Sequence, residues 1–337
     1  MQAFDGANQR VPVWFMRQAG RYLPEYRKIK EKHSLNEMFR SPELAAEVTC
    51  QPVDILGVDA AILFADILTL PAAMGFDITF DNDGPRITNR VDRPADVQAA
   101  HDLDDLSHIR ATVRLVNDRL AGKVPLIGFA GSPFTVLTYL VEGGSSAHFK
   151  RTLSFMEKQE KAFHALMALL TKNTIAYLKL QKEAGIQAFQ LFDSWAGILP
   201  AADFARRVLP YVQEIFRAVE LPSIYYVRNS NHLLALMDRS QADFLSVDHT
   251  VVLGHHPVIV KTDKGVQGNL FSGHLYADYP RLEEEVKDVL AGGSRHRRYI
   301  FNLGSGVFPD VEVDKLKFVV QQVHAYAWKA PQHPVLP

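Results

Sequence analysis

Asp59-Ala-Ala-Ile-Leu-Phe-Ala-Asp66 is an apolar run with a carboxylate at each end. It is too short for a helix and lacks the polar alternation of a half-exposed strand. It therefore reads as a strand buried on both faces, the pattern of a parallel sheet covered by helices. Upstream, Ser41-Pro42-Glu43-Leu44 carries a helix start: a serine cap, a proline in the first turn where no donor is lost, and a glutamate at the positive end of the dipole. Downstream, a helix with apolar positions Ile109, Val113, Val116 and Leu120 stops at Gly122. It feeds a second buried run, Val124-Pro-Leu-Ile-Gly-Phe-Ala-Gly131-Ser-Pro-Phe-Thr135.

The alternation continues along the chain. Residues 149–184 have helical spacing at Leu153, Met156, Phe163, Leu166 and Leu170, end at Gly185, and lead to the strand Ile186-Gln-Ala-Phe-Gln-Leu-Phe192. A helix over 202–219 precedes Ser223-Ile-Tyr-Tyr-Val227, and a short helix over 232–239 precedes Phe244-Leu-Ser-Val247. Val258-Ile-Val-Lys261 and Tyr299-Ile-Phe-Asn-Leu303 read as the last strands, with a helix over about 282–290 between them. Seven or eight strand–helix units in one chain predict an α/β fold of the closed (β/α)8 barrel type, a TIM barrel, rather than an open doubly wound sheet.

The chain has 337 residues, 47% of them apolar, with no Gly/Ser tract, charge block or repeat to mark a linker, so one domain over 1–337 is expected. A net charge of -1 excludes the sustained basic field that bulk nucleic-acid or membrane binding requires. Cys50 is the only cysteine, which rules out an intrachain disulfide and any cysteine cluster for zinc or iron–sulfur and suits a reducing compartment. The start, Met1-Gln-Ala-Phe-Asp-Gly6, is not a secretory signal, and no run approaches the roughly 18 apolar residues of a membrane span. A cytoplasmic, soluble protein is expected.

Against this balanced charge stands one basic stretch, Pro12-Val-Trp-Phe-Met-Arg17-Gln-Ala-Gly-Arg21-Tyr-Leu-Pro-Glu-Tyr-Arg27. From 10 to 32 the bases are Arg10, Arg17, Arg21, Arg27, Lys28, Lys30 and Lys32, and the acids only Glu25 and Glu31. Guanidinium groups recognise planar carboxylates or phosphates bidentately. Pro12, Gly20, Pro24 and the aromatics Trp14, Phe15, Tyr22 and Tyr26 point to a fixed loop rather than a solvated basic face. Residues 10–32 are therefore expected to form an arginine-rich substrate loop at the mouth of the site, suited to a small polyanion.

In such barrels the site is built from loops at the C-terminal ends of the strands. Read there, the chain offers Asp66, Ser132, Tyr139, Asp193, Ser194, Arg228, Asp248, His249 and Ser305. Asp66 has two readings that the sequence leaves open: a functional carboxylate ending an apolar strand, or the cap of the turn Asp66-Ile-Leu-Thr69. Tyr139 suits a core ring with a bonded hydroxyl, and Ser194 lacks the Gly-x-Ser-x-Gly surround of a hydrolase elbow. No metal-ligand spacing occurs, and neither nucleotide-binding glycine motif is present; Gly304-Ser305-Gly306 is only a glycine pair.

With these residues assembled, the chain resembles the uroporphyrinogen decarboxylase family over nearly its whole length. Trp14-Phe-Met-Arg-Gln-Ala-Gly-Arg-Tyr-Leu-Pro-Glu-Tyr26 is similar to that family's most specific signature. Gly128-Phe-Ala-Gly-Ser-Pro-Phe-Thr135 with Thr138-Tyr-Leu-Val-Glu-Gly-Gly144 resembles its second, and Phe64-Ala-Asp-Ile-Leu68, Val266-Gln-Gly-Asn-Leu270 and Phe301-Asn-Leu-Gly304 add further blocks. The resemblance implies a (β/α)8 barrel that forms a homodimer and uses no metal or organic cofactor. It also implies a tetrapyrrole substrate, with the four acetates of uroporphyrinogen converted to methyls to give coproporphyrinogen. At matching positions it implies Arg17, Arg21 and, more loosely, Lys30 as partners of substrate carboxylates, Asp66 under the four pyrrole N–H groups, and Tyr139 and Ser194 as further carboxylate contacts. Asp66 is then expected to steady a cationic ring during carbon dioxide loss, with Arg17 in an arginine–carboxylate pair as the candidate proton source.

The chain departs from the family pattern in one set of places. Asn-Leu-Gly-His-Gly is usual where this chain has Asn302-Leu-Gly-Ser305-Gly306, Asp-Pro where it has Phe271-Ser272, and Asp-Trp where it has Asp248-His249. Ser305 keeps a hydrogen bond but cannot carry charge. Two rivals follow: a catalytically impaired tetrapyrrole-binding relative, suggested by Ser305, and a corrinoid methyltransferase relative, whose zinc-bound thiolate Cys50 alone poorly supplies.

Overall fold

The computed structural model describes residues 1–81, 84–99 and 106–328; the others, counted in the expectation of one domain over 1–337, lie outside that description. Its strands are β1 (Ala61–Ile62), β2 (Ile78–Asp81), β3 (Gly84–Ile87), β4 (Leu126–Gly131), β5 (Ala188–Asp193), β6 (Ser223–Val227), β7 (Phe244–Ser246), β8 (Gly265–Gln267) and β9 (Tyr299–Ile300). Seven of them form a parallel sheet in the order β1-β4-β5-β6-β7-β8-β9, while β2 and β3 make a separate antiparallel hairpin. Every residue of β4 and of β6 is buried, as runs apolar on both faces require.

The eighth stave comes from the start of the basic stretch. Val13 bridges Phe301 in parallel, the Phe301 N–H donates to the Pro12 carbonyl (2.9 Å), and on the other side the Asp59 N–H donates to the Val13 carbonyl (2.7 Å). Asp59 locks the join from below: its carboxylate accepts from the Val13 N–H (2.8 Å) and meets Arg10 (2.5 Å) and His324 (2.9 Å). The ring is thereby closed, and the expectation of a (β/α)8 barrel holds. The expectation that residues 10–32 are all loop does not: Pro12 and Val13 are part of the barrel wall, and Pro24–Lys30 is a helix. Pro12 lacks an N–H, which is tolerated because the contact uses its carbonyl.

The helices coat this ring. Ser41 caps the helix Pro42–Leu56 by accepting from the Leu44 N–H (3.4 Å), and Gly57, at φ 73°, ends it in the left-handed region. The helical stretch expected over 149–184 is broken at Gln159 (φ -131°) into Lys150–Lys158 and Glu160–Ala184. That over 202–219 is broken at Val208 into Ala201–Arg207 and Leu209–Ala218, where Pro210 enters the first turn of the second piece.

One strand expectation is corrected outright. Val258–Lys261 belongs to a short helix, Pro257–Lys261, started by proline in its first turn and by the His256 ring, which accepts from the Val258 N–H (3.3 Å). The strand in that place in the sheet is β8, short and opening on glycine. Gly265 is required by packing, since a Cβ there would lie 2.3 Å from the Phe244 ring.

Candidate active site

The rim begins where the closing stave ends. Trp14, Phe15 and Met16 are buried, and their backbone and rings are tied across the barrel: Trp14 Nε1 donates to Gln267 Oε1 (3.0 Å) and the Met16 N–H to Asn302 Oδ1 (3.0 Å). The turn that follows is pinned by Gln18, fully buried, whose Oε1 accepts from the Phe15 N–H and whose Nε2 donates to the Ala60 carbonyl, each at 3.0 Å. Arg17 sits at the crest of this turn with φ 60°, a backbone state that non-glycine residues seldom hold. It is exposed, and its stem lies on Gly306, where a Cβ would come within 2.5 Å of Arg17 Cδ.

Arg21 is also exposed, with its carbonyl held by Arg27 Nη1 (2.9 Å). Its charge reaches Tyr26, whose ring packs at 5.9 Å on that of Phe64, two residues before Asp66. Neither Arg17 nor Arg21 forms an ion pair with any described residue. Lys30 is exposed at the end of the helix Pro24–Lys30 and has no hydrogen bond or ion pair among the described residues.

The cap reading of Asp66 holds. Oδ1 caps the following turn by accepting from the Leu68 N–H (2.8 Å), while Oδ2 accepts no hydrogen bond from the described residues. Asp66 is half-buried. Burial pushes its pKa above the usual carboxylate range, against the opposing pull of the Leu68 N–H and of the Arg17 charge. On one side it borders a cleft of about 350 Å³ lined also by Asn36, Phe39, Arg40 and Phe80. Arg40, exposed at the end of the helix Leu35–Arg40, was not singled out in the sequence.

Tyr139, half-buried on the helix Pro133–Glu142, joins the same neighbourhood. Burial raises its pKa first and the Asp66 charge raises it further, while Arg17 lowers it, and its ring lies 6.1 Å from that of Trp195. Ser194, just before Trp195, is half-buried and its hydroxyl has no hydrogen-bond partner among the described residues. Ser305 is half-buried beside Gly306, its Oγ 2.9 Å from Ser272 Oγ. Asp66, Arg17 and Tyr139 are thus within electrostatic reach of one another, Ser305 adjoins Arg17, and Ser194 adjoins the tryptophan beside Tyr139.

Two strand-end carboxylates grouped with these are instead internal supports. Asp193 is fully buried and accepts from Ser132 Oγ (2.9 Å), Thr135 Oγ1 (2.7 Å) and the Tyr225 hydroxyl (2.9 Å). Burial raises its pKa and those donors pull it back. Asp248 accepts from the Ser230 N–H (2.9 Å) and from the N–H and hydroxyl of Thr250 (2.7 and 2.6 Å). Both fix the loops that carry Ser194, Arg228 and His249.

Sequence reading missed Tyr226. Its hydroxyl donates to the Gly304 carbonyl (3.1 Å), and the charges of Asp248, Arg228 and Arg17 all reach it, which places it under the rim. It also missed the polar web beneath the site, where Gln267 Nε2 donates to Gln190 Oε1 and to Ser246 Oγ, each at 2.9 Å. The available signal was Gln190, a polar residue inside the largely apolar run of β5; Gln267 gave none, because β8 does not read as a strand.

The comparisons with known proteins bear on this arrangement. The profile of the family described as Uroporphyrinogen decarboxylase (URO-D) matches residues 1–326. The chain belongs to the uroporphyrinogen decarboxylase family. Among curated relatives, a uroporphyrinogen decarboxylase of Trichlorobacter lovleyi is 42% identical over 321 residues, covering 94% of each chain. One of Thermodesulfovibrio yellowstonii is 43% identical over 320 residues, again covering 94% of each. Among solved structures, a methyltransferase from Methanosarcina mazei superposes with a TM-score of 0.80 at 19% identity, over 96% of each chain. A B12-independent methionine synthase from Shewanella superposes at 0.55 with 10% identity, over 85% of this chain and 88% of that one. At those identities the likeness is of fold. The zinc thiolate of the methyltransferase rival finds no support in this family member: Cys50 is buried in the helix Pro42–Leu56, burial pushes its thiol up to about 11, and no cluster of metal-ligating side chains occurs among the described residues. No helix among the described residues is long and apolar enough to cross a membrane.

Proposed function

We propose that this chain, a carboxy-lyase, removes the four acetate carboxyl groups of uroporphyrinogen III to give coproporphyrinogen III and four molecules of carbon dioxide, without a cofactor. The observation that supports the reading is Asp66, with one carboxylate oxygen unengaged beside a cleft, within reach of the charge of Arg17, whose guanidinium forms no ion pair with the described residues.

The chemistry follows from those groups. Direct loss of carbon dioxide from an acetate on an electron-rich pyrrole would leave an unstabilised carbanion. Protonation of the neighbouring ring carbon first makes an iminium-like cation. The bond between the acetate methylene and its carboxyl carbon then breaks, its electron pair flows into the ring, and carbon dioxide leaves. Protonation of the resulting exocyclic methylene gives the methyl, and loss of the added ring proton restores the pyrrole. Each round consumes one proton net. The cation is flanked by pyrrole N–H groups, and the free oxygen of Asp66 faces them, where a fixed negative charge in a poorly solvated setting favours the charge as it develops.

Arg17 and Arg21 grip carboxylates on the substrate rim, with Lys30 as a looser partner, and Tyr139 and Ser194 donate hydrogen bonds to further carboxylates. Ser305, already engaged with Ser272, contributes a weaker contact. Arg17, paired with a substrate carboxylate, serves in this reading as the proton source for the ring. The same reading makes the protein a cytoplasmic homodimer. Anaerobic incubation with uroporphyrinogen III, oxidation of the products and chromatography should give hepta-, hexa-, penta- and tetracarboxylate porphyrins in succession. Binding of porphyrin with no decarboxylated product would instead identify the impaired tetrapyrrole-binding relative.

A further inference from the structure

The positions where this chain departs from its family's motifs lie on three separate loops, and the fold brings all of them into one unit. His249 follows β7, Phe271 and Ser272 follow β8, and Ser305 follows β9. The rings of His249 and Phe271 lie 4.5 Å apart at 42°. Ser272 Oγ is 2.9 Å from Ser305 Oγ and 3.3 Å from the Ser305 carbonyl. Gly304 closes the circuit by lying against His249 so tightly that a Cβ there would be 2.5 Å from the His249 nitrogen and 3.0 Å from its Cβ.

This unit stands beside Arg17. Gly306 seats the Arg17 stem on one flank of the 304–306 turn, Gly304 seats His249 on the other, and Tyr226 holds the turn from beneath through the Gly304 carbonyl. Ser305, at the crest between them, has a single hydroxyl proton and a neighbour, Ser272, that competes for it. His249 is exposed, and neither ring nitrogen has a hydrogen-bond partner among the described residues. The Phe271 ring, itself 40% exposed, backs the imidazole and limits its rotation.

We propose that His249, from the end of β7, donates an imidazole N–H to a substrate carboxylate beside Arg17, where Ser305 offers only a weaker contact, with Phe271 as its positioning residue. The ligand group is a carboxylate because the neighbouring unpaired cation, Arg17, favours an anion there and an imidazole N–H completes its coordination. The inference rests on the decarboxylase reading.

The test is steady-state decarboxylation of uroporphyrinogen III by the full chain and its variants, with thermal melts as controls. His249→Ala should raise KM about tenfold, the loss of one hydrogen bond to a charged group, with kcat changed by less than about twofold. Phe271→Ala should raise KM by a smaller factor, because it frees the ring without deleting it. The deciding measurement is rescue: Ser305→His placed in the His249→Ala background should bring KM back toward the parent value, which a purely structural role for His249 cannot produce. An active parent with KM unmoved by His249→Ala, or a raised KM that Ser305→His does not lower, overturns the inference and leaves the decarboxylase reading intact. A parent chain inert to uroporphyrinogen overturns both.

Discussion

Gly306 and Arg17 are fitted to each other: any side chain at 306 would begin 2.5 Å from Arg17 Cδ and 2.9 Å from its Cγ. Arg17 cannot yield by rotating its backbone, since it already holds φ 60° and the turn is pinned through Gln18.

Gly306→Ala should therefore push the guanidinium off its seat while leaving the barrel folded. The expected outcome is a loss of about tenfold to a hundredfold in kcat/KM, carried mainly by KM, with little change in the melting temperature. Unaltered kinetics would show that the position of Arg17 is not set by that glycine.

Asp66 should trade stability for function. Its folded pKa lies above the unfolded one, so the folded state holds that proton more tightly. Its contribution to stability is present below the unfolded value, near pH 4, and is lost as pH rises through the folded value. Asp66→Asn keeps an oxygen to accept from the Leu68 N–H and removes the buried charge. It should melt at a higher temperature than the parent at pH 7, an advantage that disappears toward pH 4, while kcat falls by about a hundredfold to a thousandfold. In the parent, kcat/KM should decline on the acid side at a pH above the ordinary aspartate range. A variant that melts lower than the parent at neutral pH would contradict this account of Asp66.

Asp193 should behave in the opposite sense. Three hydroxyls converge on it, from Ser132, Thr135 and Tyr225, and all lose their acceptor together in Asp193→Ala. Equilibrium unfolding in urea should show a loss of at least about 1–3 kcal/mol, the cost of leaving a buried donor without its acceptor. Activity should fall with the unfolded fraction and, because the loop carrying Ser194 loses its support, through a modest rise in KM rather than through kcat. A normal midpoint with abolished turnover would mean that Asp193 acts on the substrate instead.

Gly265 and Phe244 should show coupling. Gly265→Ala places a methyl 2.3 Å from the Phe244 ring, an overpacking expected to cost about 1–3 kcal/mol. Phe244→Leu alone also destabilises, but the double variant should be less unstable than the sum of the singles, and a double-mutant cycle on unfolding midpoints measures the difference. Strict additivity would deny the contact.

The barrel was legible because six of its strands announce themselves as apolar runs after helix stops, such as Ala61–Ile62 after Gly57 and Ala188–Asp193 after Gly185. Two staves were not. β8 is three residues long, begins with glycine and ends with glutamine, while the β-branched run beside it, Val258-Ile-Val260, obeys its own proline and histidine start signals and turns helical. The closing stave, Pro12 and Val13, was masked by the arginines that follow and by a proline that pairs through its carbonyl. At the candidate site, Arg17 and Asp66 stood out by residue type and Tyr139 only by family resemblance, but conformation was not readable: nothing in the chain's order signals a left-handed arginine. Asp193 and Asp248 looked equivalent to Asp66, and only the donors around them separate scaffold from site. His249, Phe271, Ser272 and Ser305 are separate motif departures in the sequence and become one feature only when β7, β8 and β9 lie side by side.

The Val13 stave is the seam where the first and last parts of the chain meet, joined to Phe301 on one side and to Asp59 on the other. Because Arg17 follows that seam by four positions, the seat of its guanidinium depends on both ends of the chain having come together.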